Sequence, residues 1–239
     1  MPSFPDNSRR AVNEKFYQLG TAFLRWLCSA EVIARPVDLF AKVWLRHRKL
    51  RFHLRAAGFD GVVDGGANIG EFAQIVRAAL PQADLVCVEP HPASAALLRK
   101  QRFRVVEAAL WKEPGRLQLS QPTPASTSCT VIPPNIPTSH TWRVDAVRLD
   151  SLPVSGSRVL IKLDLQGAEF EALEGMGELW SRCAGLLIEV SIGPEGTYEK
   201  MRALLSERGF YEYSTTNELA VDGRVLEADK LWLRFPIRG

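Results

Sequence analysis

Residues 62–70 read Val-Val-Asp-Gly-Gly-Ala-Asn-Ile-Gly. An apolar run ends in Asp64. Gly65, Gly66, Ala67, Asn68 and Gly70 then form a loop that opens into the helical stretch Ile69–Leu80. Glycine lets the backbone turn sharply and lets a ligand approach it, and asparagine tolerates the left-handed conformation nearly as well. N–H groups at the start of the following helix favour a carboxylate or phosphate. A dinucleotide fingerprint requires G-x-G-x-x-G, whereas this loop spaces Asp64, Gly66, Asn68 and Gly70 at every second residue. The Asp64 carboxylate would repel a pyrophosphate and suits a cationic ligand. Glu89 closes the next apolar run, 19 residues after Gly70, where an acid can accept both hydroxyls of a ribose. Pro90 fixes the turn after it, and His91 is placed to stack near that ribose or to cap the next helix. The plainer alternatives are a tight turn at 64–70 and a surface acid at Glu89.

S-adenosyl-L-methionine has a sulfonium, an ammonium, a carboxylate and a ribose, so the loop and the acid together suit it. Glu89 alone would serve NAD equally well. A second group of chemistry-bearing residues lies in Leu160–Glu169, where a buried strand ends in Asp164, turns through Gln166-Gly167 and enters a helix with Glu169 in its first turn. Asp164 is also a good helix cap there, and Glu169 favours the helix dipole. Glu189 ends the strand that follows. With neighbouring strands about 4.8 Å apart, Asp64, Asp164 and Glu189 are expected in a row over roughly 10 Å. Asp164 would flank a reactive methyl, and Glu189 would face the acceptor. A hydroxyl acceptor must lose a proton to a positioned base. Asp164, Glu189, His91 and His140 are the candidates, with His140 also readable as a solvated loop residue. Lys162 sits inside the apolar strand and needs a partner; Glu169 and Glu189 are candidates, and a structural role is the expectation.

Alternating strands and helices must position these residues. The expected strands are Gly61–Asp64, Leu85–Val88, Arg104–Glu107, Val159–Asp164, Leu186–Val190, Tyr211–Thr215 and Leu231–Phe235. The expected helices are Ile69–Leu80, His91–Gln101, Ala168–Leu179 and Thr197–Arg208. This alternation predicts an α/β fold, a Rossmann-like parallel sheet covered on both faces, with ligands bound outside the carboxyl ends of the strands. Residues 108–157 are rich in Pro, Ser and Thr and read as loops with short strands at Arg116–Leu119 and Arg143–Leu149. Before the sheet, Val12, Phe16, Leu19, Phe23 and Leu27 share one helical face, and Leu39, Val43, Leu50 and Leu54 continue at helical spacing. The expected division is a basic helical extension over 1–57 and the catalytic domain over 58–239.

The 239 residues are 46% hydrophobic and 24% charged, which excludes a disordered, collagenous or coiled-coil chain. The net charge of +3 is uneven: residues 1–57 carry +7 and the rest −4. Arg46, Arg48, Lys49, Arg51 and Arg55 crowd the second helix. Peripheral contact of residues 36–57 with an anionic membrane, or attraction of a phosphate-bearing acceptor, is one expectation; a helical cap packed on the catalytic domain, or an oligomer contact, with the cations left in water, is the other. No apolar run reaches the ~20 residues of a membrane span, and the polar N-terminus lacks a signal-peptide core. Cys28, Cys87, Cys129 and Cys183 form no CxxC pair, which argues against a zinc site or a disulfide scaffold. No metal is expected, and a cytoplasmic location is the default.

Three blocks resemble the FkbM methyltransferases: Val63–Gly70, Val88-Glu89-Pro90, and Ile161–Glu169 with Leu173-Glu174-Gly175. Leu187-Ile188-Glu189 is similar to the family's fifth strand, and Gln166 stands where many members have Glu. The resemblance covers about Gly61 to Val190. It implies a seven-stranded class I sheet of order 3-2-1-4-5-7-6 with the seventh strand antiparallel, S-adenosyl-L-methionine as cofactor, and O-methylation of a sugar, glycan or secondary metabolite. No nucleic-acid partner is expected. The amino-methylating enzymes of nucleic acids carry N/D-P-P-Y/F/W after the fourth strand, where this chain reads Asp164-Leu165-Gln166-Gly167. Ile132-Pro133-Pro134-Asn135 lies in the wrong loop for that element. The alternatives are a methyltransferase fold kept as a binding module, or a nitrogen acceptor.

Overall fold

Val62, Val63, Val86, Val88, Leu160, Ile161, Leu186 and Ile188 are at most 1% exposed. The strands that carry them are apolar on both faces, as a covered parallel sheet requires. The computed structural model describes residues 48–120, 130–132, 141–222 and 224–234, all within one compact unit that begins at His47. A helix α1 (Arg48–Ala57) precedes β1 (Gly61–Gly65), α2 (Glu71–Ala79), β2 (Asp84–Val88), α3 (Pro92–Lys100) and β3 (Arg104–Val106). Four further strands follow: β4 (Ala109–Leu110), β5 (Gly115–Ser120), β6 (Thr130–Ile132) and β7 (Thr141–Val147). The chain then forms β8 (Val159–Leu163), α4 (Glu169–Glu174), β9 (Cys183–Ser191), α5 (Tyr198–Glu207), β10 (Phe210–Val221) and β11 (Arg224–Arg234).

The main sheet has seven strands in the order β10-β11-β9-β8-β1-β2-β3. Strands β3, β2, β1, β8 and β9 pair in parallel, and β11 runs antiparallel to both β9 and β10. Counted along this sheet from β3, the order is 3-2-1-4-5-7-6, the class I methyltransferase arrangement. β11 lies inside the sheet, and both of its faces are covered there: Trp232 is as buried as Leu231 and Leu233, which point to the opposite face.

Two differences from the sequence reading matter for the site. Residues 109–147, expected as loops with short strands at Arg116–Leu119 and Arg143–Leu149, contribute a separate four-stranded sheet in the order β4-β7-β5-β6, in which β5 and β7 overlap those two strands. The expected helix 168–179 stops at Glu174. Gly175 packs too closely on the Trp111 carbonyl for a side chain, and the chain continues as a 3-10 turn over Gly177–Ser181.

Helix α1, drawn with the basic extension from sequence, packs within the compact unit. Leu50 and Leu54 are buried, the Arg55 guanidinium donates to the Ala78 carbonyl at 3.1 Å, and the Lys49 ammonium donates to the Thr215 carbonyl at 2.8 Å. Lys49 and Arg55 thus tie the helix to its own domain. Residues 36–47, the rest of the expected contact segment, lie outside the described residues. Among the described residues no helix is long and apolar enough to cross a membrane.

Gly185 sits where the β8–β9 register shifts by one residue, and a β-carbon there would lie 2.6 Å from the Phe59 ring. Phe59 is 4% exposed and has no room to retreat. Gly185→Ala is therefore expected to destabilise the domain by about 1–3 kcal/mol through overpacking, read as a lower urea midpoint at unchanged m-value.

Candidate active site

The glycine loop is held to the end of β2. Gly66 and Ala67 both donate their N–H groups to the Val88 carbonyl, at 3.0 and 3.1 Å. Asn68 adopts the left-handed conformation (φ 48°) and donates its N–H to Glu89 Oε2 at 2.7 Å. His91 donates its N–H to Glu89 Oε1 at 2.8 Å. One carboxylate thus fastens the loop after β1 to the turn after β2, and each of its oxygens has further acceptor capacity. Burial pushes the Glu89 carboxyl up, while the two N–H donors oppose that shift. Gly66 (φ 69°) must lack a side chain, because a β-carbon would fall on the Asp164 carbonyl oxygen.

A cleft with about 710 Å3 of space, open to solvent, lies over the carboxyl ends of β1, β2 and β8. Gly66, Asn68, Glu89, Pro90, Asp164 and Gln166 line it with polar and backbone groups. Ala108, Leu165 and Ala168 give it apolar walls, completed by Ala109, Leu110, Leu119 and Val131 from the second sheet. That sheet therefore contributes to the cleft.

Asp64 is fully buried behind the loop and does not line the cleft. Its register partner is Lys162, whose ammonium lies 3.4 Å from Asp64 Oδ1 and 3.4 Å from Asp164 Oδ2 and donates to the Gly66 carbonyl at 2.9 Å. Glu169 and Glu189 are the partners expected from sequence; instead strand pairing gives Lys162 the carboxylate of Asp64, and Asp164, two residues on along the chain, supplies the second. Burial works against the ammonium, but Asp64 and Asp164 outweigh it and raise its pKa. For Asp64, burial dominates and raises the carboxyl, against the opposing pull of Lys162.

The expected row of three carboxylates is displaced for the same reason. Asp64 pairs with Lys162, two residues before Asp164, so Asp164 stands beyond Asp64 along the strand direction, while Leu163 pairs with Ile188 and brings Asp164 level with Glu189. The Gln166 amide nitrogen joins these last two, 3.1 Å from Asp164 Oδ1 and 3.1 Å from Glu189 Oε2. Burial and then the charges of Asp164, Asp229, Glu227 and Glu169 push the Glu189 carboxyl up to about 8.

Glu169 folds back and accepts from Leu165 N at 2.8 Å and Gly167 N at 3.3 Å, which pins the turn after β8. His91 caps α3, its Nδ1 accepting from Ser94 N at 3.4 Å, and its ring meets Trp142 of the second sheet edge-on at 5.5 Å between centroids. Gly65 ends β1, Ala67 is buried within the loop, and Gly70 caps α2. His140 lies outside the described residues. Among the described residues, no cluster of His, Cys, Asp or Glu could hold a metal ion. Cys87 and Cys183 are buried free thiols, and burial pushes Cys183 up to about 12. The sequence reading missed Leu119, Val131 and the bridging amide of Gln166; the departure at 166 from the usual glutamate was the one available signal for the last.

A sequence profile described as the Methyltransferase FkbM domain matches residues 64–211, more than half of the chain. The chain belongs to the FkbM methyltransferase family. Two relatives are methyltransferases by name. "Methyltransferase 1" of Beauveria bassiana (strain ARSEF 2860) is 24% identical over 178 residues, 62% of this chain and 71% of that protein. "Methyltransferase sdnD" of Sordaria araneosa is 25% identical over 189 residues, 62% of this chain and 73% of that protein. Among solved structures, a human "methyltransferase 10 domain containing protein" matches 92% of this chain and 98% of its own at a TM-score of 0.45 and 11% identity.

Removing the central ammonium of this FkbM site would leave the Asp64 carboxylate buried without a counter-charge. Lys162→Met is expected to cost about 3–5 kcal/mol near neutral pH. Asp64 in the folded variant takes up a proton at higher pH than it does unfolded, so acidification favours the folded state and the deficit narrows as pH falls. Urea unfolding of variant and wild type at pH 8 and pH 5 checks both the size and the sign.

Proposed function

We propose that this FkbM protein transfers a methyl group from S-adenosyl-L-methionine to a hydroxyl of a sugar, glycan or secondary metabolite. The observation that carries the reading is the Glu89 carboxylate, fixed by two backbone N–H groups at the edge of the cleft. Each oxygen can accept one more hydrogen bond, which fits the two hydroxyls of a ribose. Ala108, Ala109, Leu119 and Val131 offer apolar surface to an adenine, and Asn68 and Gly66 expose the loop to the amino-acid end. Bound there, the cofactor would supply a methyl group on a sulfonium, whose leaving group is a neutral thioether.

The acceptor side supports a hydroxyl. Deprotonating an alcohol in step with its attack requires a base, and a base works best with a pKa near the working pH. Glu189, pushed up to about 8, meets that condition beside Asp164. In this reading a Glu189 carboxylate oxygen takes the hydroxyl proton, while Asp164, held by Lys162, orients the acceptor. A neutral amine brings its own lone pair and would not need such a base.

Titration calorimetry with S-adenosyl-L-methionine tests the cofactor half. Binding is expected in the micromolar range, about −6 to −8 kcal/mol. Glu89→Ala is expected to weaken it by about 1–3 kcal/mol through lost hydrogen bonds to a charged group; an unchanged affinity would remove Glu89 from the site.

The acceptor half makes its own prediction. Glu189 must be deprotonated to act, so kcat/KM should fall as pH drops through about 8. Glu189→Gln should remove that limb and lower the rate by about 10²–10⁴-fold. A methyl-transfer assay over a panel of sugars and glycans, from pH 6 to pH 9.5, reads both effects. A limb that persists in Glu189→Gln assigns the base elsewhere.

A further inference from the structure

The turn after β8 holds a side chain in a conformation that disfavours one. Gln166 has φ 55°, and Gly167 after it has φ 102°. Non-glycine residues persist in the left-handed region where the surroundings over-determine them, and such positions gather at functional sites. Here the surroundings are visible. Glu169 accepts from the N–H groups of Leu165 and Gly167, on either side of Gln166, and so fixes the peptide units around it. The outcome is an amide nitrogen 3.1 Å from a carboxylate of β8's end and 3.1 Å from a carboxylate of β9. An amide nitrogen carries two protons and can serve both partners at once. A glutamate at this position would bring a third acid to the pair.

We propose that Gln166 is a positioning residue of the acceptor side, its amide holding Asp164 and Glu189 in one orientation and favouring the Glu189 carboxylate that receives the acceptor's proton. This rests on the methyl-transfer reading above. The charges facing Glu189 come from the end of β8, from β11 and from the start of α4. Asp164 lies beside it just after β8, Asp229 is its register partner on β11, Glu227 lies elsewhere on β11, and Glu169 projects from the start of α4. Lys162 is engaged with Asp64 and Asp164, and Lys230 next to Asp229 is engaged with Glu212 and Thr215. The carboxylates therefore all press Glu189 toward its protonated form. Among the described residues, Gln166 is the group that donates a hydrogen bond to the Glu189 side chain, so it acts in the opposite sense. Gln166 itself is exposed, and it lines the cleft. Acceptor and cofactor would cover it, and hydrogen bonds to charge strengthen when water is excluded.

The test removes the donor in two ways. Gln166→Met keeps the length of the side chain, and Gln166→Gly also relieves the left-handed backbone. The Glu189 carboxyl carbon is followed by NMR in the cofactor-free protein labelled at glutamate, with its resonance assigned by its absence in Glu189→Gln. Both variants are expected to raise the Glu189 midpoint by about one pH unit, since a hydrogen bond to the charged form lowers a carboxyl pKa. The acid limb of kcat/KM should move up by the same amount. Gln166→Gly should meanwhile unfold no more readily than wild type. A midpoint that stays in place in both variants overturns the proposal and leaves the methyl-transfer reading intact. Wild-type protein that binds no S-adenosyl-L-methionine by calorimetry overturns that reading, and the catalytic use of Gln166 with it, whatever the NMR midpoint does.

Discussion

Lys162 is the fourth residue of a strand otherwise made of valine, leucine and isoleucine, and its ammonium ends 3.4 Å from each of two aspartates and 2.9 Å from the Gly66 carbonyl. A buried cation with this many partners is costly to leave unpaired. It sets the charge under the glycine loop, holds the loop's backbone through Gly66, and fixes the direction of Asp164. The loop in turn depends on Gly66 passing within contact of the Asp164 carbonyl. Two adjacent parallel strands, β1 and β8, are thereby joined at their carboxyl ends by side chain and backbone together. The cleft opens at that junction, as ligand sites in open α/β sheets do.

Around this centre the carboxylates divide by environment. Glu89 is buried, yet its oxygens are held by two N–H donors, which makes it a fixed fastener with spare acceptor capacity. Glu169 spends its acceptors on the turn after β8. Glu189 lies among four other acids, and burial with their repulsion raises it toward neutral pH. Acids of one chemical type thus supply a hinge pin, a loop tie and a titratable group. The difference comes from donors and neighbours rather than from residue identity.

The second sheet changes the character of the cleft. Ala109, Leu110, Leu119 and Val131 of this sheet all line the cleft beside Glu89 and Ala108. Its β4 follows β3 after two residues and pairs in parallel with β7, so the insertion is anchored beside the main sheet where the chain leaves it. Trp142 of β7 also meets the His91 ring, which fastens this wall to the start of α3.

The sequence by itself determined the alternation of strands and helices, because continuous Val/Ile/Leu runs can only be satisfied by burial on both faces. It also determined that Asp64, the glycine loop, Glu89, Asp164 and Glu189 lie at carboxyl ends of strands, since each directly follows or closes such a run. The resemblance of three blocks supplied the strand order. What the sequence left undecided were the relations between strands. Register alone makes Lys162 the neighbour of Asp64 and sets Asp164 level with Glu189, and register is fixed by packing across the whole sheet. In the segment rich in Pro, Ser and Thr, two of the four strands were legible, near 116–119 and 143–149; their joining with β4 and β6 into one sheet was not, because its pairs connect residues distant in sequence. The Gln166 bridge was hidden for a related reason: it spans 23 residues of sequence, and it exists only because the folded turn holds a non-glycine residue in the left-handed conformation between two strand ends.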